Sequence, residues 1–170
     1  MRTLFLTAVL GLFAVTTCLA DSVTATVGHM CCGSCKAAAT AGVKSLSWVD
    51  GITITDNTVT ATAKADQKVD VVAFVQALDK SGFPATNIAA STPVTLSVAH
   101  LCCPNCVTDL KTKLDAVRSQ TLDKMKIVID DKAKTVTVQP VDGKTLNLVQ
   151  VLRQMATAGF SASKGTIATK

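Results

Sequence analysis

The chain has 170 residues, with 17 Lys and Arg against 12 Asp, and its formal net charge is +5. Residues 21–92 carry six Asp and five Lys, whereas residues 93–170 carry six Asp and eleven Lys plus Arg. Because these charges are dispersed and only 4% of the residues are aromatic, they indicate solvated faces and exclude nucleic acid as the expected partner. This length suffices for one medium domain or two small ones.

Residues 1–20 are predicted to be a signal peptide. Arg2 supplies a positive charge, and Leu4 to Val15 is an apolar run too short to cross a bilayer. The segment Cys18-Leu19-Ala20 then places small residues where a signal peptidase reads them. We therefore expect cleavage before Asp21 and an exported protein, periplasmic or secreted, with no membrane span after cleavage. Lipidation at Cys18 is the alternative.

The first half after the leader shows strands and helices in alternation. Alternating apolar residues predict strands near 23–27, 52–54 and 59–61, and the turn Asp56-Asn57 predicts that the last two form a hairpin. Apolar positions spaced i, i+4, i+7 predict a helix through Ala39, Val43 and Leu46. A second amphipathic helix is predicted over 71–78. It ends at Gly82, where glycine tolerates a left-handed conformation, and a short strand follows.

The second half repeats this pattern. An offset of 71 residues aligns Cys32 with Cys103, and an offset of 77 aligns the helix at 71–78 with residues 148–155. We expect the additional six residues in the loops around the second strand. Each half therefore reads βαββαβ, and the sequence predicts an α+β fold of two tandem ferredoxin-like sandwiches. Their predicted domains are 21–90 and 93–170, and Ala89 to Thr92 is predicted as the short linker between the two units.

Every cysteine after the leader lies in one of two His-x-Cys-Cys-x-x-Cys clusters, residues 29–35 and 100–106. Each cluster is expected between the first strand and the first helix of its unit, where free N–H groups and the helix dipole favour a thiolate. The thiolate is the form that binds metal. Two thiolates suit Cu(I), and a third thiolate or an imidazole suits trigonal Cu(I) or tetrahedral Zn(II). The candidate ligands are Cys31, Cys32, Cys35, Cys102, Cys103, Cys106, His29 and His100.

Two other uses of these cysteines have to be weighed. An even cysteine count in an exported domain commonly means structural disulfides, but three cysteines within five residues cannot pair off inside one cluster. A thiol–disulfide redox protein is the alternative function, because Cys103-Pro104-Asn105-Cys106 resembles the thioredoxin-type Cys-Pro-x-Cys motif. Against it, Cys32-Gly33-Ser34-Cys35 lacks the proline, and the third cysteine invites mispairing.

Both halves resemble heavy-metal-associated domains, the βαββαβ modules of copper chaperones, mercury-binding proteins and the N-terminal arrays of metal-transporting ATPases. That family carries Gly-Met-Thr-Cys-x-x-Cys in this loop, which residues 30–35 match closely and residues 101–106 more loosely. The resemblance covers essentially the whole predicted mature chain. It implies that Cys32 pairs with Cys35 and Cys103 with Cys106 as metal ligands, and that Met30 and Leu101 are apolar supports beneath the loops.

The chain departs from that family pattern in the same way in both halves. His29 and His100 replace the family's glycine, and Cys31 and Cys102 replace its threonine. The added ligands imply tighter holding and slower release of the metal, or a competitive Zn(II) site. Phe83 and Phe160 stand where many bacterial members have tyrosine, and we interpret both as core residues.

The sequence therefore predicts an exported protein that binds a soft metal ion, Cu(I) in the first place and Zn(II) as the alternative. It would sequester the ion or deliver it, as a metallochaperone does, to a metal transporter or acceptor protein. No acid–base pair, phosphate-binding loop or activated serine stands out, so no enzymatic activity is expected. Two independent ions, one ion shared between the clusters and a metal-bridged dimer all remain open.

Overall fold

The structure is a computed structural model that describes residues 21–121, 125–141 and 144–168, with the side chains of residues 116–121 left out of the description. The predicted signal peptide and Cys18 lie outside the described residues. Within the described ranges, none of the helices is both long enough and apolar enough to cross a membrane.

The first unit has the predicted βαββαβ order. Its elements are β1 (Ser22–Val27), α1 (Gly33–Lys44), β2 (Val49–Thr55), β3 (Thr58–Ala63), α2 (Val71–Lys80) and β4 (Ala85–Asn87). They form an antiparallel sheet of order β2-β3-β1-β4. Val23, Ala25 and Val27 are buried while the intervening residues of β1 are exposed, so one face of the sheet meets the helices and the other meets solvent.

The second unit repeats this architecture after a short strand, β5 (Ala89–Ala90). Its elements are β6 (Val94–Val98), α3 (Pro104–Thr121), β7 (Met125–Asp130), β8 (Thr135–Pro140), β9 (Leu146–Asn147), α4 (Leu148–Thr157) and β10 (Ala162–Ile167). The four-stranded sheet has the order β10-β6-β8-β7, which is that of the first unit. The predicted fold of two ferredoxin-like sandwiches is confirmed.

The second helix of each unit begins and ends where its sequence predicts. Asp70 precedes α2 and accepts hydrogen bonds from two backbone amides of its first turn, while Asn147 precedes α4 and accepts one from the Gln150 amide. The helices stop at Gly82 and Gly159, whose φ angles of 84° and 86° are unfavourable for a residue with a Cβ. Each glycine turns the chain toward the cysteine loop of its own unit.

Two features differ from the sequence-based expectation. The helix α3 has 18 residues against 12 in α1, so much of the additional length lies in this helix rather than in the loops around the second strand. The first half of the segment predicted as a linker is a strand, because Ala89 and Ala90 pair antiparallel with Asn147 and Leu146. This pairing gives hydrogen-bond partners to backbone groups that lie beside the buried Ile88 and Ala90 side chains, where water has little access. The domain bounds 21–90 and 93–170 stay a prediction.

Candidate metal centres

The first cysteine cluster lies where β1 gives way to α1. Cys32 is the N-cap of α1, with an extended backbone (φ −147°, ψ 167°), and its carbonyl accepts the first helical hydrogen bond, from the Lys36 amide at 3.1 Å. Cys35 is the third residue of the helix and is half-buried, whereas Cys31 and Cys32 are exposed. The loop therefore presents its sulfur atoms at the positive end of a helix dipole.

The second cluster has the same placement at the start of α3. The Val107 amide donates to the Cys103 carbonyl at 3.3 Å, and Pro104 is the first helical residue, a position where its missing N–H costs nothing. Cys102 is exposed, while Cys103 and Cys106 are half-buried. Both helices begin directly after the first cysteine of the Cys-x-x-Cys pair, so Cys35 and Cys106 lie in the first helical turn.

All three sulfur atoms of each cluster converge. The Sγ atoms of Cys32 and Cys35 lie 3.0 Å apart, and the Sγ of Cys31 lies 3.9 Å from that of Cys35. In the second cluster, the corresponding separations are 3.1 Å between Cys103 and Cys106 and 3.8 Å between Cys102 and Cys106. Within each cluster, all three atoms fall within 4.8 Å of one another. The structure thus brings the vicinal cysteines, Cys31 and Cys102, into the same groups as the Cys-x-x-Cys pairs.

These separations fit a three-thiolate site. Three sulfur atoms at about 2.3 Å from one ion lie roughly 4 Å from each other when the ion is in their plane. The Cys31–Cys35 and Cys102–Cys106 separations already have that value. The shorter Cys32–Cys35 separation would have to open by about 1 Å, a change that rotation of one exposed side chain supplies.

The two thiols of each Cys-x-x-Cys pair have opposite acidities. A hydrogen bond with the Cys35 side chain, assisted by one with Ser34, lowers the pKa of Cys32 to about 6. The same Cys32–Cys35 hydrogen bond, together with desolvation, raises the pKa of Cys35 to about 11. In the second cluster, the hydrogen bond between Cys103 and Cys106 lowers the pKa of Cys103 and raises that of Cys106. At neutral pH Cys32 is therefore a thiolate, ready to bind a soft metal ion, and the pKa of Cys103 is shifted in the same direction in the second cluster.

Apolar residues support the loops from below, as predicted. Met30 and Leu101 are 5% and 1% exposed and belong to the hydrophobic core. Each lies one residue before its vicinal cysteine, so burying this side chain directs the next residues outward. Met30 and Leu101 therefore position the cysteine loops.

The two histidines lie beside the cores of their units. The His29 ring is 5.6 Å from the buried Phe83 ring, and the His100 ring is 6.4 Å from Phe160, at interplanar angles of 50° and 49°. Neither imidazole falls within the three-sulfur groups found among the described residues. The predicted ligand role of His29 and His100 stays a prediction, and the geometry places both rings in aromatic contact.

The two centres differ in how the first and second helices of their units pack together. In the second unit, Lys113 forms an ion pair with Asp109 at 3.3 Å and donates a hydrogen bond to the Ala158 carbonyl at 3.3 Å. A cleft of about 360 Å³ opens there beside Cys106 and His100. In the first unit, Gly42 occupies the position of Lys113, and a Cβ at Gly42 would overlap the Ser81 side chain. The helices α1 and α2 thus pack more closely at this point than a lysine would allow.

Comparisons with known proteins give limited similarity. No protein-family model matches the chain, and no curated protein matches it. A solved structure of the N-terminal soluble domains of Bacillus subtilis CopA is 14% identical, with a TM-score of 0.37 over 85% of this chain and 92% of that one. A structure of the water-soluble region of the P-type ATPase CopA from Bacillus subtilis is 15% identical, with a TM-score of 0.38 over 86% and 90% of the two chains. These values leave the family of the chain unassigned.

Proposed function

We propose that this chain is an exported member of the heavy-metal-associated group that binds one soft metal ion in each of its two cysteine clusters. The convergence of three thiols within 4.8 Å, repeated at two loop-to-helix junctions, carries the proposal. Cys31, Cys32 and Cys35 hold the first ion, and Cys102, Cys103 and Cys106 hold the second. The protein acts by sequestering or delivering the ion and catalyses no reaction.

Cu(I) is the proposed cargo because three thiolates complete a trigonal site without a further ligand. Tetrahedral Zn(II) requires a fourth ligand. The sequence candidates for that ligand, His29 and His100, pack on phenylalanine rings and lie outside the three-sulfur groups of the described residues. At least one cysteine in each centre is exposed, Cys31 and Cys32 in the first and Cys102 in the second, so an acceptor protein or metal transporter can take the ion by thiolate exchange. Three ligands favour slow release and hence buffering.

The test is anaerobic titration of the protein lacking residues 1–20 with Cu(I) and Zn(II) against competing chelators. We expect two Cu(I) ions per chain, and one ion with unchanged affinity after Cys103→Ser and Cys106→Ser are combined. The matched variant, Cys32→Ser with Cys35→Ser, should leave the second centre intact. Complete loss of tight binding in either double variant would instead establish one shared ion.

The same titration separates metal binding from thiol–disulfide exchange. Tight Zn(II) binding that outcompetes Cu(I) and is lost in His29→Ala and His100→Ala would assign a zinc site. Failure of both ions to bind, with rapid oxidation of Cys32–Cys35 and Cys103–Cys106 to disulfides, would overturn the proposal in favour of the redox function. Export is tested separately by expressing the full chain and determining the N-terminus of the secreted or periplasmic product, which should be Asp21.

A further inference from the structure

The contacts between the two units obey one internal symmetry. Asp70 forms an antiparallel bridge with Thr166, and Ala89 forms one with Asn147. Adding 77 to Asp70 and Ala89 gives Asn147 and Thr166, so the two bridges are the same contact made twice. In each, the N-cap residue of one unit's second helix pairs with the edge-strand segment of the other unit. Such reciprocity is the property of an interface around a two-fold axis.

The groove between α2 and α4 follows the same rule. Val72 and Val75 of α2 line it together with Val149 and Leu152 of α4, and these pairs again differ by 77. The two edge strands are closed by these contacts, because Gly165 of β10 packs on Val71 and Val72 while Ala85 of β4 accepts a hydrogen bond from Arg153. Covering each edge with the other unit's helix joins the two sandwiches into one body.

The direction of α4 locates the second cluster relative to the first. At the start of α4, Asn147 pairs with Ala89, and six residues further along, Arg153 reaches the Ala85 carbonyl at 2.8 Å. The helix therefore runs antiparallel to the segment 85–89. Since Ala85 pairs with Val27, just ahead of His29, α4 runs toward the end of the molecule that bears the first cluster.

The helix α4 ends beside the second cluster, because Gly159 and Phe160 follow it and Phe160 contacts His100. In the same way α2 ends at Gly82 and Phe83, and Phe83 contacts His29. Both cysteine clusters thus lie at one end of the joined body. We call this the cluster end; it comprises the two cysteine loops, the C-terminal ends of α2 and α4, and the hairpin turns at residues 56–57 and 131–134.

The cluster end carries both signs of charge in equal number. Its charged residues are Asp56, Asp79, Asp109, Asp130, Asp131, Lys36, Lys80, Lys113, Lys132 and Lys134. No single-sign field is available there to select a strongly acidic or basic partner. The two exposed thiol clusters are the distinguishing chemistry of this surface.

Building on the proposed function, we infer that the cluster end is one interaction surface through which a protein partner with its own soft-metal thiolates covers both centres at once. If the two domains were flexibly joined, a partner would approach each metal centre separately. Here the reciprocal contacts fix both on the same side, so a macromolecule that occupies one centre obstructs the other. Small chelators reach either centre freely.

The experiment blocks one half of the cluster end and measures access to the other. A variant with Cys31→Ser, Cys32→Ser and Cys35→Ser receives an azide-bearing residue at Asn57, beside the first cluster, for attachment of a polyethylene glycol chain. The matched control carries the same chain at Gln67, an exposed residue at the opposite end of β1. The thiols of the second cluster are then reacted, in the metal-free protein, with a small maleimide and with a dextran-linked maleimide.

The polymer at Asn57 should slow the dextran-linked reagent on the order of tenfold and the small reagent less than about twofold, as expected when only large reactants are obstructed. The polymer at Gln67 should change the rate of either reagent by less than about twofold. Equal slowing from both attachment points, or none from Asn57, would overturn the inference. Because the measurement needs no metal, its result is independent of whether the proposed metal binding holds.

Discussion

The Asp70 carboxylate joins the two units of the molecule. Its Oδ1 accepts hydrogen bonds from the Val72 and Ala73 amides at the start of α2, at 3.1 and 3.2 Å, and from the Gly165 amide in β10 at 3.0 Å. One side chain therefore caps a helix of the first unit and satisfies a backbone donor of the second. The orientation of both cysteine clusters depends on this contact and on its counterpart at Asn147.

Replacing Asp70 by alanine should destabilise the whole chain. Loss of the cap and of the partner for the Gly165 amide is expected to lower the free energy of unfolding by about 1–3 kcal/mol. Urea unfolding of the reduced, metal-free protein measures this change. Asp70→Asn is the matched control, since asparagine caps helices as well as aspartate and retains an acceptor oxygen. Equal destabilisation by both substitutions would contradict the role assigned to this carboxylate.

A methyl group at Gly165 should destabilise the protein where the two units meet. A Cβ there would lie 2.6 Å from Cγ2 of Val71 and 2.9 Å from Cδ2 of Leu96, and such overpacking costs about 1–3 kcal/mol of unfolding free energy. The measurement is the urea midpoint of Gly165→Ala. As a control, Gly51→Ala places its Cβ no closer than 3.8 Å to Thr62, so its midpoint should barely change. A Gly165→Ala protein as stable as wild type would refute the tight contact.

The thiols of the first cluster should alkylate in a defined order. Because the pKa of Cys32 is lowered to about 6 and that of Cys35 is raised to about 11, Cys32 is a thiolate above pH 6 and Cys35 a thiol up to strongly alkaline pH. Iodoacetamide should therefore modify Cys32 first at pH 7, and its rate should fall as the pH drops through 6. Mass spectrometry of the reduced, metal-free protein between pH 5 and 9 resolves the two residues.

Cys35→Ala, which leaves no side-chain donor at this position, serves as the control for that order. Removing the Cys35 thiol removes the largest cause of the lowered pKa of Cys32, so the midpoint of Cys32 alkylation should move to higher pH. A midpoint that stays near 6 would show that another group stabilises the thiolate.

The vicinal cysteine should strengthen the first metal centre without being indispensable to it. Cys31→Ser removes the Sγ atom 3.9 Å from Cys35 and leaves the closer Cys32–Cys35 pair. We expect two Cu(I) ions per chain with the affinity of the first centre reduced by at least about tenfold, a loss of the size seen when support of a metal ligand is removed. Competition with a chromophoric chelator measures the affinity, and Cys102→Ser should repeat the effect at the second centre.

The control for Cys31 is Ser34→Ala, which alters an exposed polar side chain of the same loop. The Ser34 hydroxyl lies 3.0 Å from the Cys32 sulfur, but Ser34 is not one of the three proposed ligands of this centre. If Cys31→Ser leaves the affinity of the first centre for Cu(I) unchanged, the third cysteine is not a ligand.

The repeat, the strands and the amphipathic helices could be predicted from the sequence because they depend on local periodicity. Alternation at Val23, Ala25 and Val27 predicts a half-buried strand, and the glycines at positions 82 and 159 predict helix ends. The contact between the cysteine loops and the helix N-termini also follows from chain order alone. The pairing of Ala89 with Asn147 could not be predicted in this way. The two strands have only two residues each, show no clear alternation and lie far apart in the chain.

By itself, the sequence determined two βαββαβ units, the two triplets of cysteines and their soft-ligand chemistry, since each depends on residue type and on neighbours within a few positions. The tertiary structure decided that Cys31 and Cys102 join their clusters and that His29 and His100 rest on phenylalanine rings. It also decided that both clusters lie at one end. The first two relations depend on side-chain geometry within each unit, and the last depends on how the two units pack through α2 and α4. Packing between distant segments leaves no period in the sequence that could have revealed it.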